Sequence, residues 1–297
     1  MKSTLIIILS LLVPFLGRAQ TFTDTITKTM SFEKKDAGNA VVIANINGHV
    51  TVTGYEGDQV IVEVKRTIHA KTQERLETGK KELQLGTMDR ADTLLFFVEG
   101  GCNHFGKKSN TGSNRKGRNG ERWNYYGYEW SGERCDTPYD YKLDFTVKVP
   151  TQVNVLISTI NNGNITVSNV KGSVNANSVN GSIKLSDLAR EAWASTINGD
   201  VDITYIKNPE KDCRFYSLNG DINANFQKGL AANMSFESFN GDLFTNVTQL
   251  EKLPAAVNKE GKGTMIKYKI NGNRFKIGHG GALLDFETFN GDVYIKE

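Results

Sequence analysis

Six Asn-Gly pairs fall at Asn162-Gly163, Asn180-Gly181, Asn198-Gly199, Asn219-Gly220, Asn240-Gly241 and Asn290-Gly291, with an echo upstream at Asn47-Gly48. Successive glycines in the six are 18, 18, 21, 21 and then 50 residues apart. That spacing is too regular for scattered turns and too short for separate domains; it is the period of a solenoid. Aligned on the pair, Val174, Ala176 and Ser178 fall in register with Ala192, Ala194 and Thr196. The next rows are Cys213, Phe215 and Ser217, then Met234, Phe236 and Ser238, then Leu284, Phe286 and Thr288. Polar residues alternate with each set, the period of a strand with one buried face. Ile183 and Leu185, Val201 and Ile203, Ile222 and Ala224, and Val293 and Ile295 repeat this after the turn. An antiparallel meander also uses Asn-Gly turns, but it would not repeat one inward pattern on the same side of every turn.

The expected fold is all-β: a single-stranded parallel β-solenoid with two short strands per coil of 18–21 residues. One coil cannot bury its inward residues, but coils stacked about 4.8 Å apart pair each strand with its equivalents. In-register stacking predicts a hydroxyl ladder of the Ser and Thr residues before the corner and an amide ladder of the Asn residues. Gly is expected to supply a positive φ at each corner. The residue before the corner is apolar at Val179, Ile197, Leu218, Phe239 and Phe289, with Asn161 in that place in the first repeat. Strict alternation points this column outward; the expectation is that the corner tips it inward, the alternative being a ridge covered by an insertion or a partner.

Three segments depart from the repeat. Residues 70–83 are charged with sparse apolar positions and predict a short N-terminal helix that caps the stack. Residues 250–281 account for the long step and are expected to hold a hairpin of 265–270 and 274–277 around Asn271-Gly272. Residues 101–135 carry seven Lys or Arg against three Glu, and six aromatics, Phe105, Trp123, Tyr125, Tyr126, Tyr128 and Trp130. Arg122 and these Trp and Tyr side chains are the candidate ligand-binding set, since such rings stack on sugars and anchor interfaces. The bland alternative buries them against the flank of the repeat.

Residues 1–20 join a basic start at Lys2, an apolar run over 5–16 and small residues at Gly17 and Ala19. That pattern predicts a signal peptide, residues 1–19, cut after Ala19 and followed by a single domain over 20–297. The run is shorter than the roughly 18 residues of a membrane span, and no Cys follows the cut, so a lipoprotein anchor is not expected. The protein is therefore expected in the periplasm or at the cell surface. Without Lys2 and Arg18, 34 basic residues face 33 acidic ones. So near-neutral a balance gives no electrostatic reason for a nucleic-acid partner. The repeat assigns Cys213 to a core row, which leaves Cys102 and Cys135 to pair. Their disulfide would close a loop with 32 residues between its ends, adding about 3–4 kcal/mol in the chain-entropy model.

Chemical motifs are sparse. Asp200, Asp221, Asp242 and Asp292 form a column after the corners, but calcium β-rolls use Gly-Gly-x-Gly-x-Asp, and turn capping is the expected role. The His residues show no metal-ligand spacing, so no metal or cofactor is expected. Trp193, Arg214, Ser235 and Asp285 form one outward column and Ser195, Tyr216, Glu237 and Glu287 the next. Trp193, Arg214, Tyr216, Glu237, Asp285 and Glu287 thus make an alternative sheet-face patch, of the sort on which β-helical polysaccharide lyases and hydrolases work. The simpler reading is a solvated face with paired charges.

The corner motif, a first coil reading ANINGHVTVTGYEGDQVIVEV and a VKVP lead-in at 147–150 resemble the DUF4097 putative adhesin family of bacterial envelope β-solenoid proteins. The resemblance covers residues 40–297 apart from the 101–135 insertion. It implies a secreted or surface scaffold and carries over no catalytic residues. The reading is an exported non-enzymatic adhesin-like binding or scaffold protein, its ligand a glycan or another envelope component. The alternatives are a carbohydrate-active enzyme and a protein-binding partner in envelope stress sensing.

Overall fold

The computed structural model describes residues 19–100, 105, 136–262, 265–271 and 273–297. All but the last residue of the expected signal peptide lies outside them. The first part of the chain forms β1 (Gln20–Ser31), β2 (Ala40–Ala44), β3 (Val50–Tyr55), β4 (Gln59–Ala70), α1 (Gln73–Glu82), β5 (Gln84–Arg90), β6 (Thr93–Glu99) and β7 (Tyr139–Pro150). Five strand pairs follow, each divided by an Asn-Gly corner: β8 (Asn154–Thr159) with β9 (Ile165–Ser168), β10 (Val174–Ser178) with β11 (Ile183–Leu188), β12 (Ala192–Asn198) with β13 (Val201–Tyr205), β14 (Cys213–Asn219) with β15 (Ile222–Asn225), and β16 (Ala232–Glu237) with β17 (Leu243–Thr245). Then come β18 (Leu250–Leu253), β19 (Ala256–Lys262), β20 (Met265–Asn271), β21 (Arg274–Ile277), and the last pair, β22 (Leu283–Asn290) and β23 (Val293–Lys296).

The fold is all-β with two large, mostly parallel sheets and, among the described residues, one helix. A ten-stranded sheet runs β1-β4-β7-β3-β9-β11-β13-β15-β23-β17, and an eleven-stranded sheet runs β18-β21-β16-β22-β14-β12-β10-β8-β2-β6-β5. Each repeat gives its first strand to the eleven-stranded sheet, turns at Asn-Gly, and gives its second to the ten-stranded sheet. Pairing is in register: Val174 lies beside Val155 and Ala192, and Ile183 beside Ile165 and Val201. The alternating side chains of both sheets meet in one core, where Ile157, Phe215, Phe286, Ile165, Val201 and Val293 are all fully buried. Full burial of one such side chain contributes about 1.5–3 kcal/mol, and no unit achieves it without its neighbours.

The order of the units differs from their order in the chain. The last pair, β22 and β23, sits between β14/β15 and β16/β17, because Cys213 pairs with Leu284 and Ile222 with Val293. At the other end, β6 and β7 lie outside β2 and β3. The sequential stacking expected from the repeat is corrected at both ends. The 50-residue step allows it: after β17 the chain is long enough to return and insert one unit inward. The outer edge of β16 is instead taken by β21, antiparallel to both β16 and β18. The hairpin in this insertion therefore joins β19 to β20. Arg274–Ile277 does not fold back on its predecessor around Asn271-Gly272; it buries Ile277 against the core.

Thr72 caps α1, accepting a hydrogen bond from the Arg75 N–H. The helix places Leu76, and the residue after it Leu83, in the core at the N-terminal end of the stack, against β1, β4 and β7. Arg66, almost wholly buried, donates to both Asp24 carboxylate oxygens and to the Lys80 and Leu83 carbonyls. One guanidinium thus ties β1 to the C-terminal end of the helix, where a cation also meets the helix dipole. Strand β1 was not anticipated: its core-facing row, Phe22, Asp24, Ile26, Lys28, Met30, is interrupted by two charges and defeats a simple alternation test.

Candidate functional site

The corner edge is built from repeated hydrogen bonds between neighbouring units. Every corner glycine lies so near the neighbouring unit that a Cβ on Gly163 would run into the Gly48 carbonyl, one on Gly181 into the Gly163 carbonyl and one on Gly241 into the Gly291 carbonyl. Positive φ occurs at Gly48, Gly199, Gly220 and Gly291, and not at Gly163, Gly181 or Gly241. Close backbone approach, rather than φ, is therefore what all seven share. On this column the amide ladder forms: Asn240 donates to Asn290, Asn290 to Asn219, Asn219 to Asn198 and Asn198 to Asn180, at 2.8–3.0 Å. Asn161 donates separately to Asn47 at 3.0 Å. Asn162, at φ 49°, is an extra residue that breaks the ladder between Asn161 and Asn180. The counterpart of Val179 in this repeat is consequently Ile160, since Val179 N–H bonds the Thr159 carbonyl and Asn180 N–H the Ile160 carbonyl.

The hydroxyl ladder does not form. Thr159, Thr196 and Ser217 each donate to a corner glycine carbonyl of an adjacent unit, at Gly48, Gly181 and Gly199, and Thr288 donates to Gly291 of its own. A buried carbonyl needs a donor more than a hydroxyl needs a second hydroxyl. The residues after the glycines, with Asp144 at one end, form a second ladder that the sequence suggested only in part. Asp144, His49, Asn164, Ser182, Asp200, Asp221 and Asp292 each accept, through a side-chain O or N, the backbone N–H of the next residue in the series, ending at Asp242, at 2.8–3.1 Å. His49 does so through Nδ1. One carboxylate oxygen of Asp200, Asp221 and Asp292 is thus committed to backbone capping. Among the described residues no group of three His, Cys, Asp or Glu is arranged for a metal ion.

Beside these ladders runs the apolar column Ile46, Ile160, Val179, Ile197, Leu218, Phe289, Phe239. The corner does not tip it inward: only Ile46 is buried, Ile160 through Leu218 are half-buried, and Phe289 and Phe239 are 44% and 73% exposed. The two Phe rings stack at 4.8 Å, 4° from parallel. From Ile160 on, the inward place just before it in each unit is held by a Ser or Thr; Thr159, Thr196, Ser217 and Thr288 cap glycine carbonyls there, whereas the Ser178 and Ser238 hydroxyls are buried without a hydrogen-bond partner.

The sheet-face patch is assembled differently from the sequence alignment, because β22 lies between β14 and β16. Arg214 faces Asp285 at 3.6 Å and Glu287 at 3.1 Å, and Glu237 lies beyond Glu287. Tyr216 pairs with Glu287 across the strands, and Trp193, 38% exposed, precedes Arg214. Burial raises the Asp285 carboxyl above its ordinary range, with Glu287 and Glu237 adding to the rise and Arg214 opposing it. Tyr216 is also raised, by burial and by Glu287. Arg214 thus pairs with two of the three carboxylates of this surface, and Arg274 lies beside Ser235 in the same row.

A cleft of about 430 Å³ opens where the Asn47 corner meets the start of β7, lined by Asn47, Tyr139, Tyr141, Lys142, Asn161 and Asn162 among others. Asn47 accepts here from the Asn161 amide at 3.0 Å. Nothing in the sequence pattern marked this site, which exists only because β7 stacks outside β3.

Arg122, Trp123, Tyr125, Tyr126, Tyr128 and Trp130, with Cys102 and Cys135, lie outside the described residues. Of the insertion only Phe105 is described, stacked on Phe97 at 4.3 Å. Cys213 is a free, buried thiol in the row with Ala192 and Leu284, 3.3 Å from the Tyr205 hydroxyl.

The molecule is an all-β protein of in-register parallel units with one hydrogen-bonded edge, and no described helix is long and apolar enough to cross a membrane. No family model matches the chain, and no curated protein matches it. Among solved structures it is similar to a "putative cell adhesion protein" from Clostridium sporogenes ATCC 15579, at 10% identity and a TM-score of 0.41, over 93% of this chain and 99% of that one. It is also similar to a "putative adhesin" from Bacteroides fragilis NCTC 9343, at 12% identity and a TM-score of 0.35, over 92% and 96%. Values this low assign neither family nor function.

Proposed function

We propose that this chain is an exported, non-enzymatic, adhesin-like binding or scaffold protein of the bacterial envelope, built as a β-solenoid of the DUF4097 type. The observation that carries the reading is the uncovered apolar column at the corner edge, ending in the exposed Phe289 and Phe239 pair beside a row of amides. Exposed apolar surface in register with fixed hydrogen-bonding groups serves recognition. A glycan fits it, its apolar ring faces on the Phe rings and its hydroxyls on the Asn and Asp ladders. Strand β1 starts at Gln20, so cleavage after Ala19 would leave the strand intact. The aromatic and basic residues of 101–135 are the second candidate contact surface.

Binding of the purified protein to a glycan array and to isolated envelope fractions tests this. Loss on Phe239→Ser with Phe289→Ser assigns the ridge, and loss on Trp123→Ala with Trp130→Ala assigns the insertion. No binding by the wild type refutes the reading.

The Arg214 cluster supports a second reading, carbohydrate hydrolysis or elimination, because Asp285 holds its proton to higher pH than an ordinary carboxyl and neighbouring carboxylates are the apparatus of glycosidic cleavage. Release of reducing ends or unsaturated sugars from a polysaccharide panel, abolished by Glu237→Gln, would establish it.

A further inference from the structure

Strand β1 ends the ten-stranded sheet, pairs only with β4 among the described residues and is twelve residues long. Its second edge has no strand partner among the described residues, and the strand has neither Pro nor bulge to blunt that edge. Edges of this length invite another strand. The chemistry of the strand says which one. Its outward row is Thr21, Thr23, Thr25, Thr27, Thr29 and Ser31, all exposed, and its core-facing row is Phe22, Asp24, Ile26, Lys28 and Met30.

Read antiparallel against itself about Ile26, the strand is self-complementary. Phe22 falls opposite Met30, Asp24 opposite Lys28, Ile26 opposite Ile26, Thr23 opposite Thr29, and Thr25 opposite Thr27. The neighbouring registers that keep the faces matched fail. Centring on Thr25 sets Phe22 on Lys28, centring on Thr27 sets Asp24 on Met30, and centring on Asp24 or Lys28 opposes like charges. Cross-strand matches of this sort stabilise a pair of strands, and like charges directly opposite are unfavourable. Phe22, Ile26 and Met30 pack on the core yet remain half-exposed at the edge. Lys28 forms no ion pair within its own chain among the described residues, while Arg66 and the helix end hold Asp24 in place.

We infer that β1 is a dimerisation edge: two copies of the chain join their ten-stranded sheets through antiparallel β1–β1 pairing with Ile26 on the two-fold axis. The contact is isologous, so it closes at two copies and leaves no β1 edge for a third. The inward charges, which alone would discourage strand addition, then select the register.

Light scattering coupled to size exclusion tests this on the purified protein and two variants, with far-UV circular dichroism confirming the fold of each. Thr25 and Thr27 are exposed in the single chain, so substitutions there leave its core untouched. The wild type is expected at twice the chain mass. Thr25→Lys with Thr27→Lys sets Lys against Lys twice across the axis and is expected at the chain mass. Thr25→Glu with Thr27→Lys sets Glu against Lys twice and is expected to restore the dimer. A wild type at the chain mass, or a dimeric double-Lys variant, overturns the inference. A monomeric Glu/Lys variant beside a dimeric wild type overturns the register.

Discussion

Replacing Gly181 by Ala separates the two physical reasons a corner can require glycine. Gly181 does not have positive φ, so Ala there bears no left-handed strain, but its Cβ would collide with the Gly163 carbonyl of the neighbouring unit. Both atoms belong to paired backbone, and relief requires the units to part. Parting stretches the Gly163 N–H to Asn180 bond, now 3.3 Å, and the Ile165 N–H to Ser182 bond, now 3.0 Å. Overpacking costs about 1–3 kcal/mol and each weakened hydrogen bond about 1 kcal/mol, so about 3–5 kcal/mol is expected, or a Tm loss on the order of 10 °C. Gly229 is the control. Its φ is 81°, and a Cβ there meets nothing within 4 Å. Gly229→Ala therefore incurs only the left-handed cost of about 1–2 kcal/mol. Urea denaturation followed by circular dichroism and by Trp fluorescence gives both values and checks that one transition is seen. If Gly181→Ala falls within about 0.5 kcal/mol of the wild type, or Gly229→Ala costs more, close approach is not what the glycine column serves.

Asn219→Ala removes a donor to Asn198 and an acceptor for Asn290 at the middle of the ladder, and about 1–2 kcal/mol of stability is expected to go with them, measured by the same denaturation; no change would mean that water replaces the ladder at no cost. Asp285 holds its proton more tightly folded than unfolded, so ionising it opposes folding: the penalty is absent below the ordinary value of 3.8, grows as pH rises towards the raised folded value and is constant above it. The stability of Asp285→Asn relative to the wild type should therefore rise over that window, and urea midpoints that show a flat or falling difference would refute the assignment.

The repeating unit is legible in the local pattern alone. Alternation in rows such as Val174, Ala176 and Ser178 names the inward faces, and their burial follows because each unit buries those faces only on its neighbours. Cys213 lies in the core for the same reason. Local pattern could not order the units, since β16 and β22 carry interchangeable inward rows, and pairing in space chose β22 as the neighbour of β14. That choice put Arg214 against Asp285 and Glu287. The ridge was legible as a column, but its exposure was decided only where the units stack, from buried Ile46 to exposed Phe239. Strand β1 escaped the pattern because charges occupy its core-facing row, and their partners, Arg66 on β4 and, by our inference, a second copy of β1, are chosen only when distant segments meet. Periodicity is a property of one strand, whereas neighbour identity, burial of a corner and the fate of an edge are properties of the whole stack.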